Sequence, residues 1–578
     1  MKISDLVFNY IAEKEIDTVF TISGGGCMHL TDSLGKNKKI QYICNHHEQA
    51  CAMAAECYFR TSGKPGCILI TTGPGGTNAL TGVLCAYQDS IPLIVISGQV
   101  PTTQLSKNTK CRQIGQQEHN IVDTVKNMTK YSVLISDPKN ILYELEKAYH
   151  LAISGRPGPV WIDIPLDIQS ANVEIDYLQH YVHTNKKSFI YNIKNKYYLY
   201  KLQTLIKKSN KPMVVIGGGI KASGTKEQLK KFLDKLKIPV MSGPHSAVDI
   251  INTDYKYYAG RFGLLGQKTS NYLIQESDLI ISLGSRLNPK MIGYDSKKFA
   301  PLAKKIIIDI DNAELAKLNF SNTTYKWQID LKDFFNISKD LNSIDINDWQ
   351  DYVLQQRAKE NLVLPKHEQL KDYTSTYVFA KKLEKYLQDD SIIVTSDGTA
   401  HVVPLKTMTL KKNQQLFSNE GTAPMGYGLP ASIGAHYGCK KPIICIEGDG
   451  SIMMNLQELE TIRHHDIPIV IVIINNQGYL SIKLTQNSFF GGNLFAADVS
   501  SGVSIPNYKN IAKTFDYKYF SIANNKTIDK ILSKVFGNKN KRCIVEIFTD
   551  PNELHEPKVK AKGLDANGKI IPGELTDI

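Results

Sequence analysis

The most regular alternation of apolar and polar positions lies between residues 443 and 478. The apolar run IICIEG (443–448) predicts a buried strand. Ile452, Leu456, Leu459 and Ile462 then recur at helical spacing, and PIVIVII (468–474) predicts a second buried strand. Strand, helix and strand in this order form a βαβ unit. It sets Asp449 and Asn476 at the carboxyl edge of a parallel sheet, where open α/β sheets bind ligands. Similar alternation fills residues 1–168, which end in PVWIDIPLDIQ. It resumes at KPMVVIGGGI (211–220), LIISLGSR (279–286) and KIIIDID (305–311). The pattern therefore predicts an α/β protein of three doubly wound parallel-sheet domains, at 1–170, 190–340 and 370–550, followed by a turn-rich tail, 551–578. Two stretches lack clear periodicity and read as connections: the Tyr- and Lys-rich 170–200 and the polar 332–372.

Composition narrows the class. The 578 residues are 42% hydrophobic and 22% charged, as in ordinary soluble globular proteins. The net charge of +13 is spread along the chain without a basic tail or nucleic-acid motif, so no nucleic-acid partner is expected. No apolar run reaches membrane-spanning length, and the amphipathic N-terminus carries acidic residues unlike a signal peptide. The ten cysteines have no paired metal spacing. Cys44, Cys51, Cys67, Cys85, Cys445 and Cys543 sit in apolar runs and read as buried free thiols of a cytoplasmic protein.

The polar residues of the βαβ unit carry the chemistry. Asp449, Asn476 and the backbone carbonyl of Gly478 offer three oxygen ligands to a hard cation that also holds phosphate oxygens. Gly448 and Gly450 let the backbone approach a diphosphate closely. A bare GDG is usually a turn, but here a helix and a strand separate it from the pair Asn475–Asn476. The whole segment resembles the diphosphate-binding motif of thiamine-diphosphate enzymes.

Further motifs extend that resemblance over nearly the whole chain. NHHEQACAMAAECYFRTSGKPGCILITTGPGG (45–76), GGGI, GSRLNPKMIGY and GTAPMGYGLPASIGA (421–435) stand in the order found in the acetolactate synthase group. The resemblance implies a pyrimidine-binding, a central and a diphosphate-binding domain, with thiamine diphosphate and Mg2+ as cofactors. It gives Glu48 the role of the carboxyl that activates the cofactor's aminopyrimidine; from the residues alone, Glu48 is equally a surface acid opening a helix. It puts Pro74 and Asn78 of the TTGPGG loop and helix beside the pyrimidine, makes Met425 the wedge that bends the cofactor, and brings Ala423 against the pyrimidine. Gly448, Asp449, Gly450, Ser451, Asn476, Gly478 and Tyr479 surround the diphosphate, with Asp449, Asn476 and Gly478 on the metal. Gln117 and the loop around Gly25 face the reacting carbon. His46, His47 and His119 are weaker candidates for proton transfer, since neighbouring histidines more often pack or face solvent.

The central block resembles the family's flavin-binding region through Gly218, Gly263, Gly284, Arg286 and Asp309. Asn288-Pro289-Lys290 departs from the family's Asp-Asp-Arg. FAD in a structural duty is expected there, with ADP or an empty site as alternatives. The resemblance also implies pyruvate as donor, a second carbonyl compound as acceptor, and a homodimer or homotetramer. Gln116 stands where the family has Phe, and Thr485 lies near its specificity tryptophan. Both changes favour a polar acceptor such as a nucleotide-linked ketosugar. Acetolactate formation from two pyruvates and simple 2-keto acid decarboxylation are the alternatives. The tail is a candidate lid.

Overall fold

Three six-stranded, wholly parallel sheets follow one another along the chain, each flanked by helices. The computed structural model describes all residues except 108, 184–188, 246, 538–541 and 568. The first sheet contains β1 (Thr18–Thr21), β2 (Gln41–Cys44), β3 (Gly66–Ile70), β4 (Leu93–Gln99), β5 (Tyr131–Leu134) and β6 (Val160–Pro165), ordered 2-1-3-4-6-5. The central sheet contains β7 (Pro212–Ile216), β8 (Val240–Ser242), β9 (Tyr258–Arg261), β10 (Leu279–Leu283), β11 (Lys304–Asp309) and β12 (Thr324–Gln328), ordered 12-11-10-7-8-9. The third contains β13 (Ile392–Thr395), β14 (Gln415–Phe417), β15 (Ile443–Gly448), β16 (Ile469–Asn475), β17 (Lys518–Ile522) and β18 (Arg542–Phe548), ordered 14-13-15-16-18-17. The inner strands are buried on both faces, which explains their unbroken Ile, Val and Leu runs.

In each sheet the chain crosses over its first strand to change direction, between β1 and β3, between β7 and β10, and between β13 and β15; the first and third sheets turn back again at their far edges, where β6 and β18 insert inside β5 and β17. At such a switch the adjoining loops part and leave a crevice outside the carboxyl ends of the strands. All three sets of predicted site residues begin from these loops.

The first and third domains share one hydrophobic core. The helices Glu48–Ser62 and Gly428–Cys439 touch backbone to backbone: a Cβ on Gly434 would lie 1.8 Å from the carbonyl oxygen of Ala54. A buried polar knot reinforces this contact. The Tyr427 hydroxyl donates to Glu56 at 2.5 Å, Arg60 pairs with Glu56 and with Asp89, and Asp89 accepts from the backbone N–H groups of Glu420 (3.0 Å) and Gly421 (2.7 Å).

Several sequence expectations change. Residues 452–462 are not one helix but a 3-10 turn, Ile452–Asn455, and a short α-helix, Glu458–His464. Ile452, Leu459 and Ile462 still reach the core, so the spacing survived the break. The supposed linker contains the start of a helix, Phe189–Lys207, whose Tyr198 stacks on Trp327 with centroids 4.4 Å apart. The second connection is largely helical, including Leu331–Ile337 and Asn347–Ala358; Trp349 donates to the carbonyl of Pro212 at 3.0 Å. Few apolar positions mark these helices, so they left little periodic signal. All ten thiols are free, but Cys44 is exposed rather than buried, because its edge strand β2 presents it to solvent. The tail lies on the central domain: Leu575 enters that core and the Val559 N–H donates to Leu264 at 2.9 Å.

Candidate active site

At the switch of the first sheet, three loops pack so closely that side chains are excluded. A Cβ on Gly24 would lie 2.6 Å from Thr71, one on Gly26 would lie 2.8 Å from Thr72, and one on Gly73 would lie 2.4 Å from the carbonyl oxygen of Gln117. Gly73 also has φ of +64°, and Gln117 itself adopts +65°. The Gly25 turn, the Pro74 helix start and Gln117 therefore come together. Glu48 opens the helix after β2 and is 8% exposed, so it is no surface residue. Asn78 donates to its Oε2 at 3.0 Å, and the would-be Cβ of Gly75 lies 3.7 Å from its Oε1.

A polar chain behind these loops escaped the sequence reading. Thr72 donates to Gln99 Oε1 (2.8 Å), and Gln99 Nε2 donates to Asp163 (2.9 Å) and to the carbonyl of His119 (2.8 Å). Ser97 also donates to Asp163 at 2.6 Å. Burial pushes the Asp163 carboxyl up to about 7, against the pull of those two donors. The only signal was an aspartate inside the otherwise apolar PVWIDIP. Two of the three weaker histidines have local ring partners: His47 Nδ1 accepts from the Gln49 N–H at 3.0 Å and His119 Nε2 meets Thr124 at 2.9 Å, while the His46 backbone N–H donates to Glu458 of the third domain at 2.9 Å.

At the switch of the third sheet, Asp449 is clamped by backbone. Its Oδ1 accepts from Gly450 at 2.8 Å, and its Oδ2 accepts from both Asn476 and Gly478 at 3.1 Å. The Tyr508 hydroxyl bonds its carbonyl. Burial raises the carboxyl to about 7, with the N–H donors opposing. Nearby, Asn476 Oδ1 is buried without a hydrogen-bond partner among the described residues. A buried acceptor left unmade costs about 1–3 kcal/mol, so its position beside a buried carboxylate suits a cation bound by oxygen. The donor set fits Mg2+.

The surrounding loop is shaped as a cradle. A Cβ on Gly448 would meet only the Ser451 Cβ, at an ordinary 3.6 Å, whereas one on Gly450 would strike the Tyr479 ring at 2.4 Å. Ser451 ties the cradle to its neighbours, meeting Ser396 at 2.8 Å across the switch and accepting from the Gly426 N–H at 2.9 Å. That second bond fixes the turn carrying Ala423, at φ +47°, and Met425.

At the central switch lies a cavity of about 440 Å³, lined by Gly218, Gly284, Arg286 and Asp309 among others. Gly217 and Gly284 approach closely, since a Cβ on Gly217 would lie 2.3 Å from the Gly284 carbonyl oxygen. Burial raises Asp309 to about 6. Arg286 donates to the Gln88 carbonyl at 3.0 Å, joining the central and first domains. Gly263 does not line the cavity; Asn271 engages both its N–H (2.8 Å) and its carbonyl (3.0 Å).

The comparisons with known proteins agree with this arrangement. Residues 1–124 match the thiamine pyrophosphate enzyme N-terminal TPP binding domain, 199–336 the central domain and 397–547 the C-terminal TPP binding domain. The acetolactate synthase large subunit of Lactococcus lactis is 32% identical over 98% of this chain and 96% of its own length. The corresponding subunit of Haemophilus influenzae is 28% identical over 99% of both chains, and the isozyme 2 large subunit of Escherichia coli is 31% identical over 84% of both. With the three matched domains and their glycine cradles in place, the chain belongs to the acetolactate synthase family of thiamine-diphosphate enzymes.

Proposed function

We propose that this enzyme decarboxylates pyruvate and transfers the remaining two-carbon unit to a polar carbonyl acceptor, a nucleotide-linked ketosugar. The observation that carries the cofactor chemistry is the orphaned Asn476 oxygen beside the clamped Asp449 carboxylate. Asp449, Asn476 and the Gly478 carbonyl would hold Mg2+, with Gly448, Gly450, Ser451 and Tyr479 around the diphosphate. When bound, thiamine diphosphate supplies an acidic carbon that becomes the nucleophile and an electron sink for decarboxylation. Glu48 holds a proton at the aminopyrimidine, with its carboxyl oriented by Asn78. Met425 and Ala423 would shape the cofactor's seat, while Gln117 and the Gly25 turn would line the substrate side of the site.

Glu48 bonds within the first domain and Asp449 within the third. The family resemblance, which sets the cofactor between the first domain of one copy and the third domain of another, supports a homodimer or a tetramer built from it. The glycine-lined central cavity supports FAD in a structural duty, with ADP as the alternative; an absorbance scan of purified protein distinguishes them. The polar acceptor is supported by Gln116 and Thr485, both exposed side chains. The second reading, pyruvate as its own acceptor, is favoured by the names of the near-full-length relatives.

The test is incubation with pyruvate, thiamine diphosphate and Mg2+, with and without candidate nucleotide ketosugars, and mass analysis of the products. A ketosugar enlarged by a two-carbon unit supports the proposal. Acetolactate alone selects the second reading, and free acetaldehyde alone overturns both.

A further inference from the structure

A cluster outside the thiamine machinery joins the central and third domains. His245 comes after β8, His401 lies in the helix Thr399–Thr407, and Glu420 comes after β14. His401 Nε2 stands 3.3 Å from Glu420 Oε1, and His245 Nδ1 stands 3.9 Å from the same oxygen. The two rings lie 4.5 Å apart at 61°. His245 and His401 are each 3% exposed. Neither nitrogen of His245, nor His401 Nε2, nor Glu420 Oε1 has a hydrogen-bond partner among the described residues. Each such buried group costs about 1–3 kcal/mol unless something else satisfies it.

The hydrogen bonds around the cluster leave the right lone pairs. Ser418 donates its hydroxyl proton to the Ser396 carbonyl at 3.1 Å, so at 3.0 Å it can only accept from His401 Nδ1. The Nδ1 of His401 therefore carries hydrogen and its Nε2 presents a lone pair toward Glu420. A metal-bound imidazole is commonly held in this way through its other nitrogen. Burial, and then the neighbouring positive charges of Lys290, Lys406 and Arg261, hold His245 neutral. Those cations also oppose a metal ion, so the charge of Glu420 is essential. Its backbone is fixed by Asp89 at 3.0 Å.

We propose that His245, His401 and Glu420 bind a divalent transition metal of the zinc class, clamping the central domain to the third. Zinc bonds of about 2.0–2.1 Å to nitrogen and oxygen imply neighbouring ligands about 3.3 Å apart in a tetrahedron, so only small side-chain shifts complete the site. Two imidazoles and one carboxylate suit such an ion better than Mg2+. His245 and Glu420 line the central cavity, so the remaining coordination position faces it and is open to water or an anionic group. This site is distinct from the oxygen site of Asp449 and Asn476.

The experiment uses full-length protein with excess Mg2+ and thiamine diphosphate filling the other metal site. Titration with Co2+ is monitored by visible absorption, and competition with Zn2+ by calorimetry. One tight equivalent with intense low-symmetry cobalt bands is expected. It should be displaced by Zn2+, lost in His245→Gln and His401→Gln, and weakened at least tenfold in Glu420→Gln. Circular dichroism checks folding of the variants; should any misfold, x-ray absorption of the zinc-loaded wild type decides by its nitrogen count. No tight equivalent in the wild type, unchanged binding in folded variants, or an all-oxygen shell would overturn the proposal.

Discussion

Gly478→Ala tests the metal cradle most directly. Gly478 has φ of +144°, outside the range that L side chains readily adopt, and a Cβ there would lie 2.6 Å from the Ala497 carbonyl oxygen and 2.7 Å from Asp498 Cα. Both obstacles are backbone and cannot swing aside. The dihedral strain costs about 1–3 kcal/mol, and the forced shift of packed atoms costs about 1–3 kcal/mol more. The relief available is movement of residue 478, which pulls its N–H away from Asp449 Oδ2. Gly502→Ala is the control: its φ is +103°, but a Cβ there meets nothing within 4 Å. Thermal melts and thiamine-diphosphate titrations at fixed Mg2+ should separate the two. Gly478→Ala should melt lower than the control and bind cofactor at least about thirtyfold more weakly, corresponding to about 2 kcal/mol. Gly502→Ala should bind normally. Cofactor affinity within twofold of wild type in Gly478→Ala would refute the cradle.

Other substitutions probe separate parts of the molecule. Gly448→Ala has room in the protein itself, so its melting point should hold while cofactor affinity drops tenfold or more; unchanged affinity would remove Gly448 from the diphosphate path. Glu48→Gln should retain cofactor binding, measured by calorimetry, and lose at least about a hundredfold in turnover, as expected for a lost proton-transfer partner. Asn476→Ala deletes a buried orphan acceptor, so the metal-free protein should lose little stability while the Mg2+ requirement rises severalfold; a large drop in melting point would show that the amide is structural. Asp163 has its carboxyl raised to about 7 by burial, so its contribution to stability is full below about pH 4 and is lost as pH rises through 7. Asp163→Asn should therefore gain stability relative to wild type as pH rises from about 4 to 7 and keep that gain above 7, by up to a few kcal/mol on that linkage; a constant difference in melting temperature across that range would contradict the assignment.

Features with a local, regular pattern were legible in the sequence, and those made by distant contacts were not. The strand cores could be read because both faces are buried, and Asp449 and Asn476 because each ends such a run. Glu48 was ambiguous, since an acid in the first turn of a helix is ordinary; its separation from a surface residue rests on Asn78, thirty positions away and close only in the fold. The Thr72–Gln99–Asp163 chain was hidden for the same reason, each member sitting on a different strand or loop. His245, His401 and Glu420 were invisible because their meeting depends on how two domains pack. The helix Asn347–Ala358 was missed because Trp349, Gln350 and Val353 are its only buried positions, too few to set a period.

The packing of the domains explains why these sites can be built from loops. A loop residue keeps its position only if its backbone is held, and here the holding groups come from neighbouring elements. Asp89, at the end of the helix beginning at Pro74, fixes the N–H groups of Glu420 and Gly421 in the third domain, while Arg60 joins Asp89 to Glu56 and Tyr427 completes the knot. Tyr427 lies two residues after Met425, and Asn455 holds the intervening Gly426 carbonyl at 2.8 Å. The turn that carries Met425, the proposed cofactor wedge, is therefore braced from the first domain as well as from its own sheet. A substitution in the knot should disturb Met425 and Glu420 together, because both hang from the same buried charges.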